Sequence, residues 1–300
     1  MRASRPTIRF TADRGDARLR LDQVLVRRVT GITRMSRTRA QQWIETGAVQ
    51  VNGIPAGRAS TRVSEGALVE VAPPESAVAK QRPAAEEGAL DILYEDDHLI
   101  ALNKPAGIVV HPSYKHPRNT LLNAVLWHLR DAAAGTPAIV TRLDKDTSGV
   151  LLVARSAAVQ AALQRAMDAG ELRKFYLALV LGRPQPAAGT IALPLARDPT
   201  DRRRVVVDTA GRESITRYRT LRSNAASLLE CELITGRTHQ IRVHLAARGW
   251  PIAGDRVYGL SPSAAEIGRQ ALHAWRLLLT HPMTGAHLEI VAPPPSFLAP

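Results

Sequence analysis

Thr141-Arg-Leu-Asp-Lys-Asp-Thr-Ser-Gly-Val-Leu-Leu-Val-Ala154 decides how this chain is read. A polar loop closes at Gly149 and runs directly into the apolar segment Val150 to Val153. Polar side chains at the mouth of a buried strand stand on a rigid support next to solvent, where sites that do chemistry are built. Asp144 is central in the loop, beside Arg142 and four residues before Ser148. Taken alone, the stretch reads more simply as a loop whose Asp and Thr side chains satisfy backbone groups. The rest of the chain decides between the two.

Beyond the strand, Ser156 can cap a helix carrying Val159, Leu163 and Met167, and Lys174 to Val180 alternates as a strand. Further strands are predicted near Ile215 to Leu221 and Leu228 to Ile234. The apolar stretches Leu272 to Leu279 and Leu288 to Val291 flank Met283-Thr-Gly-Ala286 as a late hairpin. On the other side of the loop, Ile100 to Leu102 reads as a strand, and Leu122, Val125, Leu126 and Leu129 form a helical stripe after Asn119. Many strands with few crossover helices predict an α+β fold: a mixed, mostly antiparallel central sheet with flanking helices over residues 91–300.

A second, smaller α/β domain is predicted over residues 18–79. Leu21, Val24, Leu25 and Val29 recur at helical spacing. Ser36 can cap a second helix with Ala40, Trp43 and Ile44 on its apolar face. Val49 and Val51 lead into Asn52-Gly53, a strong hairpin signal, and another strand runs through Leu68, Val69 and Val71. Residues 1–17 read as a basic flexible arm and residues 80–90 as a linker, the latter from the Pro-, Ala- and charge-rich run around them.

The 300 residues carry 40 Lys plus Arg against 27 Asp plus Glu, a formal net charge of +13. Only 5 of the 40 are Lys. Arg pairs bidentately with phosphate and stacks on bases, so an excess of this size favours a polyanionic partner, with nucleic acid first. A compositional bias of the genome would also raise Arg. Arg34, Arg37 and Arg39 surround the start of the second helix, where the helix terminus already favours anions, and they are candidate RNA contacts. The single cysteine, Cys231, excludes an internal disulfide and a Cys-based zinc cluster. His111/His116 and His239/His244 are spaced five apart, which on a helix separates their faces and argues against zinc. No run has signal-peptide or membrane-spanning length, so a soluble cytoplasmic protein is expected.

Three more segments stand out. They are Asn103-Lys-Pro-Ala-Gly-Ile-Val-Val-His-Pro112, Arg173-Lys-Phe-Tyr-Leu-Ala-Leu-Val-Leu-Gly182, and Thr235-Gly-Arg-Thr-His-Gln-Ile-Arg-Val-His-Leu245 followed by Gly254-Asp-Arg-Val-Tyr-Gly259. In the last, Thr238 can cap a helix that carries Arg242 in its first turns. With the loop around Asp144, these ordered segments resemble the RluA-type pseudouridine synthases, from residue 18 onward. Residues 91–300 resemble the catalytic domain, and the domain in front resembles the alpha-L RNA-binding domain that many members carry.

The resemblance implies isomerisation of uridine to pseudouridine in RNA: the uracil is detached, rotated and rejoined through carbon 5. It implies no cofactor and no metal. Asp144 matches the catalytic aspartate, which acts ionised as a nucleophile on ribose or base. Arg242 matches its Arg partner, a cation that favours the ionised carboxylate. Tyr176 matches the active-site tyrosine, able to stack on uracil and a candidate base. Arg142 matches the Arg that fills the space of a flipped base. Thr141 stands where the family usually has His, which keeps a hydroxyl but loses a stacking ring. The implied partner is RNA, large-subunit ribosomal RNA first and possibly in an assembling subunit, with transfer RNA as the alternative. No DNA or membrane partner and a monomer are expected. Two competing readings are an assembly factor that has lost catalysis and a glycosidase-like hydrolase. The first is opposed by the intact set Asp144, Tyr176 and Arg242. The second is opposed by the lack of a suitably placed second carboxylate.

Overall fold

The computed structural model describes residues 7–29, 35–72, 83–112, 116–132, 135–201, 203–259 and 267–299. The chain divides into two units, residues 1–82 and 83–300.

In the first unit, β1 (Ile8–Thr11), α1 (Leu21–Val29), α2 (Arg37–Glu45), β2 (Val49–Val51), β3 (Ile54–Pro55) and β4 (Leu68–Val71) follow one another. The sheet order is β1-β4-β2-β3, with every pairing antiparallel. Leu21, Val24, Leu25 and Val29 of α1 and Ala40, Trp43 and Ile44 of α2 bury against Val49, Val69 and Val71. Ser36 caps α2 by accepting the Arg39 N–H at 3.2 Å. Asn52 and Gly53 both take positive φ, the requirement of a tight hairpin turn.

Residues 8–17 are not a flexible arm. β1 pairs with β4 from Ile8↔Val71 to Thr11↔Leu68, and its alternating Ile8 and Phe10 pack on the core. A net basic composition hid a four-residue period-2 pattern too short to register. Asp16 is buried and receives Arg28 Nε at 2.7 Å.

The second unit is built on a sheet of order β10-β13-β14-β9-β15-β8-β6-β5, with β7 added on β8 and β16 on β15. In chain order its elements are β5 (Ile92–Glu95), β6 (Leu99–Lys104), α3 (Leu121–His128), β7 (Ala138–Ile139), β8 (Ser148–Ala154), α4 (Ala157–Asp168), β9 (Arg173–Leu181), β10 (Ala188–Ala192), β11 (Leu195–Arg197), β12 (Val205–Val207), β13 (Ile215–Ser223), β14 (Ala226–Leu233), α5 (Gln240–Ala247), β15 (Leu272–Thr280) and β16 (His287–Val291). β11 and β12 form a separate hairpin. Among the described strands only β8 and β15 pair in parallel, so the sheet is mixed and mostly antiparallel.

β8 is apolar without interruption because both its faces are covered. Leu151 and Val153 join Leu121, Val125, Ile241 and Leu245 on the side of α3 and α5. Val150, Leu152 and Ala154 join Val159 and Leu163 of α4 on the other. The proposed linker is shorter than its composition suggests, because residues 83–90 are tied to α3. Asn123 Nδ2 donates to Ala84 O at 2.6 Å, and the Asn119 N–H donates to Glu86 Oε2 at 2.8 Å. No helix among the described residues is long and apolar enough to cross a membrane.

Gly149 allows β8 to lie beside β15. Its φ is +109°, and a Cβ there would stand 2.1 Å from Ala274 O. Gly149→Ala combines backbone strain with a collision against another backbone, so we predict a loss of about 3 kcal/mol or more. The urea midpoint measures it; a midpoint within error of wild type would refute this account of the glycine.

Candidate active site

The loop between β7 and β8 is clamped from below. Lys104, at the end of β6, is fully buried. Its Nζ donates to Pro105 O, Ile108 O and Lys145 O at 2.8, 2.9 and 2.9 Å. The Gly107 N–H donates to the same Lys145 carbonyl at 2.9 Å. Arg269 Nη1 donates to Asp146 O at 3.1 Å, and Gln270 Nε2 to Thr147 Oγ1 at 2.7 Å. The backbone after Asp144 is therefore held by groups from two distant segments, residues 104–107 and 269–270.

Burial pushes Lys104 down to about 8, against the pull of Asp146. The unfolded chain keeps this proton up to the ordinary 10.5, so between these two values it binds more protons than the native protein. The stability contributed by this group must then rise with pH across that window. Urea midpoints at several pH values for wild type and Lys104→Met should show the difference between the two shift in favour of wild type as pH rises through this window. A constant difference between the two proteins would contradict it.

Asp144 is the partly exposed member of a charged triplet. Arg242, in the first turn of α5, donates Nη1 to Asp144 Oδ2 at 2.8 Å. The same guanidinium donates Nε and Nη2 to Asp255 Oδ2 and Oδ1 at 2.6 and 2.9 Å. Arg242 is 5% and Asp255 2% exposed, so the fork is locked inside the protein. Burial works to raise the Asp255 carboxyl, but Arg242 and the N–H groups of Val257 and Tyr258 outweigh it and hold the group below its ordinary value. Arg242 is oriented for one remaining partner, Asp144.

α5 begins differently from the predicted Thr238 cap. The residue before Gln240 is His239, in the left-handed region at φ +56° and without a capping side-chain bond. The Gln240 side chain instead accepts the Arg237 N–H at 3.0 Å and the Thr235 hydroxyl at 2.9 Å. This turn aims the His239 ring at the site, with Nε2 3.8 Å from Asp144 Oδ2 and Nδ1 2.9 Å from the Tyr258 hydroxyl. Burial and Arg242 lower the His239 pKa despite both carboxylates.

Tyr176 projects from β9 and is 6% exposed. Burial, then the charge of Asp144, raise its phenol well above the ordinary range. The phenol is thus protonated at neutral pH, which removes it as a resting base. It retains an apolar ring face and a hydroxyl. Thr141 is buried, and its Oγ1 accepts the Leu152 N–H at 2.9 Å, so it ties the loop to β8. Arg142 is exposed and has no hydrogen-bond or ion-pair partner among the described residues.

Two connected spaces open here. An inner one of about 60 Å³ is lined by Asp144, Tyr176, His239, Arg242 and apolar Leu143, Leu233, Ile241 and Leu272. Arg142 and Arg237 line both it and an outer cleft of about 590 Å³, which adds Lys174, Gly236 and residues of α4. A slot lined by both apolar and charged side chains, with one carboxylate at its edge, can present a planar ring beside a nucleophile.

The structure thus brings Asp144, Tyr176, Arg242 and Arg142 together, with Thr141 behind them. Arg37 and Arg39 lie in the other unit, and Arg34 falls outside the described residues. Arg37 pairs with buried Asp22 at 3.1 Å, as does Arg20 at 3.0 Å. Sequence reading missed Asp255, His239, Tyr258 and Lys104 as individual residues, although their segments stood out. A lysine ending an apolar strand, in a chain with only 5 Lys, was the one usable signal.

Residues 98–247 match the family model described as RNA pseudouridylate synthase, and residues 19–69 match the S4 domain model. Ribosomal large subunit pseudouridine synthase D of Nitrosomonas europaea is 43% identical over 302 residues, covering 98% of this chain and 86% of the relative. The protein of the same name from Xylella fastidiosa is 41% identical, with 96% and 89% covered. Among solved structures, human RNA pseudouridylate synthase domain containing 1 aligns with a TM-score of 0.57 at 26% identity, covering 70% of this chain and 86% of that one.

Proposed function

Because this chain belongs to the RNA pseudouridine synthase family and carries an S4 domain in front of the synthase domain, we propose that it isomerises uridine in large-subunit ribosomal RNA, with Asp144 as nucleophile and no cofactor. The observation that carries the reading is the Arg242–Asp144 pair, 2.8 Å apart, at the edge of a slot lined by Tyr176.

Arg242 and His239 both approach Oδ2 of Asp144. Oδ1 is the oxygen left to attack. Attack at the ribose C1′ forms a C–O bond as the glycosidic bond breaks and its electron pair leaves on uracil N1. Attack on the base adds Asp144 to carbon 6 first, and the glycosidic bond breaks in a later step. On either route the freed uracil turns within the slot. Apolar Leu143, Leu233, Ile241 and Leu272 give the ring a surface on which to turn beside the polar side chains of the slot, and the Tyr176 ring offers a stacking face. The new bond forms at carbon 5, the proton there leaves, and Asp144 is released. Tyr176, holding its proton, is a donor to a uracil oxygen at rest; it becomes a base only by losing that proton during the step.

A uridine within a stem must leave its stack, at a cost of a few kcal/mol. Arg142, exposed at the cleft and unpaired, fills the vacated space. In the first unit Asp22 holds Arg20 and Arg37 side by side, a fixed pair of cations for the RNA backbone. The large-subunit assignment rests on the names of the two relatives above. Unmodified large-subunit ribosomal RNA is incubated with wild type and with Asp144→Asn, and pseudouridine is mapped by chemical labelling and primer extension. New sites with wild type alone are expected. Sites on transfer RNA only would overturn the substrate, and sites with both proteins would remove Asp144 from its role.

A further inference from the structure

Lys174 has no place in the chemistry above and no partner to explain it. It stands two residues before Tyr176 on β9, so both side chains leave the same face of the strand. It lines the outer cleft with Asp144 and Tyr176. It is half-buried, and burial lowers its pKa with no compensating charge. Among the described residues its ammonium makes no hydrogen bond or ion pair. Lys104, which is fully buried, satisfies its three donors on three carbonyls. An ammonium at the cleft wall with no protein acceptor has its donors free for a ligand that enters the cleft.

The surroundings specify the ligand. A Cβ on Gly236 would stand 3.4 Å from Lys174 Nζ, so the amine lies against the Thr235-Gly236-Arg237 turn. The Gly236 N–H has no acceptor among the described residues. Arg237 uses Nε on Glu213 O at 3.2 Å and has its terminal nitrogens to spare. Of the acids in the cleft, Asp144 is paired with Arg242 at 2.8 Å and Asp168 accepts from Gln164 Nε2 at 3.0 Å on α4. An ammonium, a guanidinium and a backbone N–H around one glycine form a small anion cradle.

We propose that Lys174, with Gly236 and Arg237, is a subsite for a phosphodiester group next to the nucleotide whose base enters the slot at Tyr176. Because β9 carries both side chains, the subsite sets the distance between one backbone phosphate and the reacting ring. It is a positioning site: it fixes where the flipped nucleotide lies and takes no part in bond making. The proposal rests on the reading of the cleft as the uridine site.

The test uses the full chain and a ribosomal RNA fragment that wild type modifies. Affinity is measured against salt for wild type, Lys174→Met and Lys174→Arg, all also carrying Asp144→Asn so that turnover does not intrude. Single-turnover rates are measured for the same substitutions without it. Lys174→Met should weaken binding about tenfold and reduce the slope of log K against log salt by about 0.7–0.9, the signature of one lost phosphate contact. Its loss should appear in the RNA concentration needed for half-maximal rate, with the saturating rate changed less than about threefold. Lys174→Arg should restore most of the slope. An unchanged slope in Lys174→Met overturns the subsite, as does a collapse of the saturating rate with affinity intact. Absence of pseudouridine formation by wild type on every RNA tested overturns the parent reading instead, and the binding data still decide whether Lys174 contacts phosphate.

Discussion

Asp144→Asn protein is expected to bind RNA as wild type does and to form no pseudouridine. The amide keeps the size and one acceptor oxygen of the carboxylate but cannot act as the nucleophile. Removing a nucleophile lowers kcat/KM by more than about 10⁴-fold, or roughly 5 kcal/mol of barrier. Stability should change by less than about 1 kcal/mol, because Arg242 stays bonded to Asp255 through two other nitrogens. The combination is informative: a large catalytic loss with an unchanged melting transition and unchanged affinity isolates the carboxylate. Turnover above a hundredth of wild type would dismiss the nucleophilic role.

Arg242→Met should damage both fold and activity. Met fills much of the volume, but Asp255, 2% exposed, loses the one cation bonded to it among the described residues. Breaking one side of a buried ion pair costs about 3–5 kcal/mol. Adding Asp255→Asn removes the stranded charge, so the double variant should regain much of that stability and none of the activity. A double variant as unstable as the single one would mean that packing, not charge, is the loss. The pH dependence has a defined sign. The folded Asp255 pKa lies below the unfolded value of 3.8. Its contribution is therefore complete above 3.8 and is lost as pH falls through the lower folded value.

The proposed catalytic constellation was more legible in the sequence than the frame that holds it. Asp144 and Tyr176 are marked by local context, a polar loop entering an apolar strand and an alternating strand. Asp255 has no such context. It lies between strands in a segment without periodicity, and only the folded chain shows that it orients Arg242. His239 was invisible for a different reason. Its position depends on a left-handed backbone that non-glycine residues rarely adopt, so local preference places the helix cap at Thr238. β1 was lost because four alternating residues cannot outweigh the basic character of the first seventeen. β10, β11 and β12 were lost in a stretch where Pro, Gly and Arg interrupt every apolar run.

The parallel pairing of β8 with β15 joins residues 148–149 to 273–274. A ribosome making this protein releases the Asp144 loop about 125 residues before the strand that braces it. At bacterial elongation rates that gap is roughly 6–25 s. Arg269 and Gln270, which grip the loop, arrive in the same late segment. The first unit, complete by residue 82, has all its strands and helices long before. A nascent chain can therefore carry a finished S4 module while the Asp144 loop is still unsupported. The enzyme acquires affinity early in its synthesis and reactivity only near the end.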